Sequence, residues 1–216
     1  MAAKAQDVSK IVYVSTCHVY GKQDKLPITE ETPPKPIDIY SASKLAGESL
    51  ALSFAEMHGM NISISRAFNH YGPYQRPDFL IPSIILRLLR RERLAMGNPT
   101  PTRDFAFVDD IVRGYVLLAE KGRSSEIYHF SSARERSVRE IVETIMKISG
   151  VKSEAYWNPE ARRVDIPRSV GDYSKATKEL GWKPRVDFED GMKKTVAWYR
   201  SHLESRNPEI IHVPNA

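Results

Sequence analysis

The 216 residues are 41% hydrophobic and 27% charged, a balance that excludes an intrinsically disordered chain and predicts one sizeable core with room for a small subdomain. The net charge of +5 favours anionic partners. The densest basic cluster, Arg87, Arg90, Arg91 and Arg93, lies among apolar residues at helical spacing, so it reads as the solvated face of a helix and not as a nucleic-acid stripe.

Residues 10–15 predict a short buried strand, and residues 22–38 a loop punctuated by Pro27, Pro33, Pro34 and Pro36. A helix is expected from about 41 to 58, stopped by Gly59. Residues 61–68 alternate and read as a second buried strand, followed by a loop over 69–77 and a helix over 79–91. After GNPTPT a strand is expected at 104–107, then a helix that either Asp109 or Asp110 could cap. A third strand is expected at 126–132, a helix at 137–150, an irregular basic segment at 151–171, a short helix at 172–182 and a last helix within 187–204. Strands alternating with helices predict an α/β protein with a parallel sheet.

No apolar run reaches the roughly 20 residues needed to span a bilayer, and MAAKAQDVSK lacks an apolar signal core. Cys17 is the single cysteine, so no internal disulfide can form. The expectation is a cytoplasmic protein with no membrane partner, no nucleic-acid partner and no metal.

YSASK, from Tyr40 to Lys44, places a phenol and an ammonium one turn apart on one helix face. An ammonium there stabilises a phenolate, which suits proton transfer at a hydroxyl or carbonyl oxygen. Thr16 ends a predicted strand, where active sites of open α/β sheets lie, and its hydroxyl could bind the same oxygen.

VSTCHVYG, YSASKLAGE, SRAFNHYGPYQRP, TRDFAFVDD, RRVDIPRSVGDYSKA and ELGWKP, in that order, resemble the extended short-chain dehydrogenase/reductase family that modifies nucleotide sugars. FNHYGPYQRPDF and DIPRSVGD look most like its GDP-sugar branch of GDP-mannose 4,6-dehydratases and GDP-4-keto-6-deoxy-mannose reductases; UDP-sugar 4-epimerases are a more distant match. The resemblance implies a partial doubly wound, Rossmann-like parallel sheet with a small C-terminal substrate-binding subdomain. Residues 1–68 would be the remainder of the dinucleotide-binding domain. Residues 69–216 would mainly hold the nucleotide sugar, with 104–132 returning to the sheet.

The resemblance also implies roles. Tyr40 would be the acid/base, and Lys44 would hold the nicotinamide ribose of NAD or NADP, with Phe68 beside the cofactor. Thr16 would bridge Tyr40 and the sugar C4 oxygen. Asn69 and Arg103 would contact the diphosphate and Arg162, with Arg163 and Arg168 as nearby alternatives, a second phosphate or the ribose, tasks suited to guanidinium forks. Leu80 and Met96 would line the nucleotide site. The helix containing Tyr40 would contribute to a homodimer.

Two departures stand out. The family's dehydratases carry an acidic residue in the pair occupied here by Cys17 and His18. His18 could act as a base in its place or merely pack beside the site. The sequence also contains 11 glycines, none closer together than eight residues, so the family's glycine-rich pyrophosphate turn has no counterpart. The chain therefore reads as the C-terminal part of an NAD(P)-dependent GDP-sugar enzyme, more a reductase than a dehydratase or 4-epimerase. A non-catalytic nucleotide-sugar-binding module is the alternative. Without preceding strands, residues 11–14 should form an apolar sheet edge that a homodimer partner, another chain or the N-terminal segment covers.

Overall fold

A computed structural model describes residues 2–158 and 166–205. The first elements are α1 (Ala2–Ala5), β1 (Ile11–Thr16), a 3-10 turn (Cys17–Tyr20), α2 (Ile39–His58), β2 (Ile62–Ala67), β3 (Asn69–Tyr71) and α3 (Leu80–Leu89). Then come β4 (Leu94–Met96), β5 (Thr102–Phe107), α4 (Val108–Lys121), β6 (Ile127–Phe130) and β7 (Glu135–Ser137). The last are α5 (Val138–Ser149), β8 (Ala155–Trp157), α6 (Ser174–Leu180) and α7 (Phe188–Glu204).

The principal sheet has the order β1-β2-β6 and is wholly parallel. Its register aligns Thr16 with Ala67 and Ala67 with Phe130. The three strands therefore end in one row, and the segments that follow them leave from a common edge. β2 is the middle strand and is buried along its whole length. Its serines do not face solvent: Ser63 accepts from Lys10 Nζ at 2.5 Å and donates to the Arg123 carbonyl at 2.7 Å. β1 has a neighbour on one side only, and Val14 is 42% exposed.

A second sheet, β3-β5-β7, pairs β3 with β5 in parallel and β5 with β7 antiparallel. Of the stretch 104–132, β6 joins the principal sheet while β5 lies in this second one. The second sheet packs with α3, α5 and α7 around Tyr71, Ile84, Phe107, Ile145 and Met192. β4 and β8 form a parallel two-stranded piece, so the segment read as irregular contains a strand at Ala155–Trp157. β3 likewise lies within residues read as loop.

The ends of α2 follow local chemistry. Asp38 accepts the Ser41 N–H at 2.7 Å while the Ser41 hydroxyl meets the Asp38 N–H at 3.3 Å, a reciprocal cap. Gly59 closes the helix in the left-handed region at φ 60°. Gly47 faces Tyr13 of β1: a Cβ there would stand 2.0 Å from the Tyr13 hydroxyl, so any larger residue must swing the half-buried Tyr13 ring aside. α4 departs from the sequence expectation. Phe107 holds its N-cap position with no side-chain bond, so neither Asp109 nor Asp110 caps it. Asp110 is instead buried, accepting the N–H groups of Arg185 and Val186 at 2.9 Å each and Arg113 at 2.6 Å. It thereby ties the lead-in to α7 onto α4. Among the described residues, no helix is long and apolar enough to cross a membrane.

Candidate active site

The row of strand ends assembles the candidate residues. Thr16 is the last residue of β1, is 7% exposed and caps the 3-10 turn, its Oγ1 accepting from the His18 N–H at 3.2 Å. An oxygen that accepts in this way keeps its own proton free to donate. Tyr40 is the second residue of α2 and is 54% exposed. The His18 ring meets the Tyr40 ring edge-on, with centroids 6.3 Å apart. Lys44 lies one turn along; its Nζ is 5.9 Å from the Tyr40 ring centroid and donates to the Val14 carbonyl at 3.0 Å. Helix and strand thus bring the phenol, the ammonium and the threonine hydroxyl to one corner.

Asn69 and Arg103 reach the same corner. Burial is the main force holding the His18 pKa below its usual value; Asp38 opposes it, Arg103 adds to it and a hydrogen bond with Asn69 opposes it. His18 is therefore a neutral imidazole between Asn69 and Tyr40. Asn69 Nδ2 also donates to the Asp104 carbonyl at 3.4 Å, and Arg103 donates to the carbonyls of Thr102 and Ile166 at 2.8 and 2.6 Å. Burial pushes the Cys17 thiol up to about 12, which leaves it a core side chain and not a nucleophile.

The remaining expected residues stand further out. Leu80 opens α3 and Met96 ends β4; both are half-buried and pack against the core of the second sheet. The Phe68 ring is fully buried among Cys17, Val19, Tyr20 and Ile28. Arg162 lies outside the described residues. Among the described residues no cluster of His, Cys, Asp or Glu could hold a metal ion.

Sequence reasoning missed the scaffold beneath the corner. Glu48, two turns after Tyr40 on α2, is 2% exposed and accepts from Nε and Nη2, one edge of the Arg66 guanidinium of β2, at 3.0, 3.2 and 2.5 Å. Glu48 also accepts from Ser15, the residue before Thr16. Arg66 donates to the Tyr20 hydroxyl at 2.8 Å, and that hydroxyl meets His129 Nε2 of β6 at 2.5 Å. One buried chain of groups links the helix to all three strands. The available signal was spacing: Tyr40, Lys44 and Glu48 recur every four residues. Asp104 was missed as well. It is fully buried, accepts from the N–H groups of Ser132, Ala133 and Gly171, and is raised to about 6 by burial.

A parallel sheet with Thr, Tyr and Lys at its strand ends is the arrangement of the extended short-chain dehydrogenases/reductases. The comparisons agree. The sequence model described as GDP-mannose 4,6 dehydratase matches residues 1–195, and the chain belongs to that family. It is 36% identical over 202 residues to a dTDP-glucose 4,6-dehydratase from Actinoplanes, covering 93% of this chain and 63% of that one. It is 32% identical to the GDP-6-deoxy-D-mannose reductase of Pseudomonas aeruginosa, covering 94% and 70%. Among solved structures, RMD from Pseudomonas aeruginosa complexed with NADPH superposes with a TM-score of 0.88 at 31% identity, covering 93% of this chain and 70% of that one. A UDP-glucose 4-epimerase from Thermotoga maritima with UDP-glucose gives 0.89 at 32% identity, covering 93% and 66%. The fold class and family expected from the sequence are thus correct. The chain spans less than two thirds of the length of the dehydratases from Actinoplanes and three Streptomyces species that it matches.

Proposed function

We propose that this chain carries the proton-transfer and sugar-nucleotide-binding residues of a cytoplasmic NAD(P)-dependent enzyme that reduces a GDP-4-keto-6-deoxy-hexose at C4. The observation that supports this most is the single corner formed by buried Thr16, exposed Tyr40 and neutral His18, with Asn69 and Arg103 behind them. Tyr40 delivers the proton to the C4 oxygen and Thr16 donates a hydrogen bond to that oxygen. Asn69, Arg103 and Arg162 hold the diphosphate, while Leu80 and Met96 flank the base.

Reduction is favoured over dehydration by the state of the nearby carboxylates. Loss of water from C5–C6 needs a base; positions 17 and 18 hold no carboxylate, and with the buried thiol protonated only the His18 imidazole could serve there. The two carboxylates whose charges act on these residues are committed elsewhere: Asp38 caps α2, and Asp104 holds three backbone N–H groups. A 4-epimerase remains the second reading, on the structural likeness at TM-score 0.89.

The residues fit one end of a nicotinamide dinucleotide. Exposed Tyr40 and adjacent Lys44 suit the nicotinamide ribose, whereas the buried Phe68 ring offers the cofactor no surface and could act only as packing beneath the corner. When bound, the nicotinamide supplies the hydride. The pyrophosphate end has no glycine-rich cradle in this sequence. We propose that further polypeptide pairing along the open side of β1 supplies that cradle; a homodimer partner, having the same sequence, would cover the edge without completing the site.

The test is NADPH oxidation, followed at 340 nm, with GDP-4-keto-6-deoxy-mannose and the cofactor-binding segment present. Turnover that disappears in Tyr40→Phe supports the reading. NADPH bound without turnover would leave a nucleotide-sugar-binding module.

A further inference from the structure

Beside the candidate active site, a cavity of about 290 Å³ lies where β5 and the segment before β7 face the lead-in to α7; Arg136 in its wall is the cross-strand partner of Arg103. Three of its lining residues are Arg134, Arg136 and Arg185. None of Thr16, Tyr40, Asn69 or Arg103 lines it. Five other arginines, Arg66, Arg76, Arg113, Arg123 and Arg168, each sit on a carboxylate within 3.0 Å. Among the described residues, Arg134, Arg136 and Arg185 make no such ion pair. Asp187 is the one acidic residue in the wall, and it is engaged as the N-cap of α7, accepting the Glu189 N–H at 2.9 Å.

The guanidinium of Arg136 lies 4.2 Å above the Phe188 ring. Stacking on an aromatic face fixes the guanidinium plane and leaves its edge donors free for an acceptor lying in that plane. The 17-residue helix α7 starts at Phe188, so its positive end also opens here. Glu189 and Asp190 in the first turn of α7 offset that positive end, so the surplus in the wall comes from three guanidinium groups against the single carboxylate of Asp187. A singly charged anion would leave most of it unanswered.

We propose that this cavity binds a multiply charged phosphate group, on a free ion or a small phosphorylated metabolite, separately from the nucleotide-sugar site. The inference does not depend on the chain being an enzyme. Isothermal titration calorimetry of the whole chain with inorganic pyrophosphate and with ribose 5-phosphate tests it and separates the two sources. The expected result is saturable binding by at least one of them, weakened about tenfold in Arg136→Gln and in Arg134→Gln, the loss of one charge-assisted contact each. Asp187→Asn keeps a capping acceptor, removes the opposing charge and should tighten binding severalfold, a gain that misfolding cannot mimic. Absence of saturable binding by both probes up to about 10 mM, weaker than any site of use, overturns the proposal. So does binding that survives Arg136→Gln and is lost in Arg103→Gln, because the ligand then sits in the candidate active site.

Discussion

Replacing Glu48 with alanine removes a carboxylate shared by α2, β1 and β2. Arg66, with a side chain 5% exposed, loses three short contacts and keeps the Tyr20 hydroxyl as its remaining listener of opposite polarity. Ser15 loses its acceptor at the same time. A buried cation stripped of its partner costs about 3–5 kcal/mol. That is a large share of the roughly 5–15 kcal/mol by which a domain of ordinary stability stays folded. At about 2–4 °C per kcal/mol for a chain this long, the melting temperature should fall by roughly 6–20 °C. Urea unfolding followed by circular dichroism gives the free energy. The paired control is Glu189→Ala, which breaks an exposed contact with Lys147 at 3.5 Å and should change stability by no more than about 0.5 kcal/mol. Glu48→Leu combined with Arg66→Met should recover most of the loss, because both buried charges then go together. A Glu48→Ala penalty below about 1 kcal/mol, or a double variant no better than the sum of its parts, would falsify the idea that this pair is buried as a unit.

Three further outcomes follow from the geometry. Burial, with the Arg66 charge adding to it, holds the His129 pKa down at about 3, so the unfolded chain takes up a proton below about pH 6.5 that the folded chain refuses. The stabilisation is therefore full above that pH and is lost on acidification, by about 1.4 kcal/mol per pH unit between roughly 6 and 3.5; the difference between wild type and His129→Gln across pH 7, 6 and 5 isolates it. Cys17 should stay unmodified by iodoacetamide at pH 8 in the native state and react once urea unfolds the chain, as mass spectrometry would record. Tyr40→Phe should leave the urea midpoint nearly unchanged, since the residue is 54% exposed, while lowering turnover of the completed enzyme at least about a hundredfold.

The long elements were legible because burial on one face leaves a periodic trace. α5 opens with Ser137 and Glu140 capping each other and buries Ile141, Val142 and Ile145, so its pattern and its start coincide. The corner was legible for a different reason: Tyr40 and Lys44 belong to one helix, and Thr16 ends a strand. The three-residue strands β3, β4, β7 and β8 were not, because alternation over three positions is indistinguishable from chance. The Glu48–Arg66 link was hidden because charge normally signals exposure, and only the stacking of α2 on β2 turns these two side chains inward. Asp110 misled for a related reason. An acid in the first turn of a helix is a natural cap, yet its neighbours in space are N–H groups 75 and 76 positions away.

Gly47 leaves room for a ring under the chemistry. The Tyr13 hydroxyl fills the place a side chain at 47 would take and meets the Lys44 carbonyl at 3.3 Å. Tyr40 rides on that helix and Thr16 on that strand, so the Tyr13 ring packs between the element that carries the phenol and the element that carries the threonine. Position 47 works as a reserved seat: an added carbon evicts the Tyr13 ring and with it the hydroxyl that meets the Lys44 carbonyl, one turn from the phenol. A change there would leave every reacting group in the sequence and disturb the packing beneath two of them.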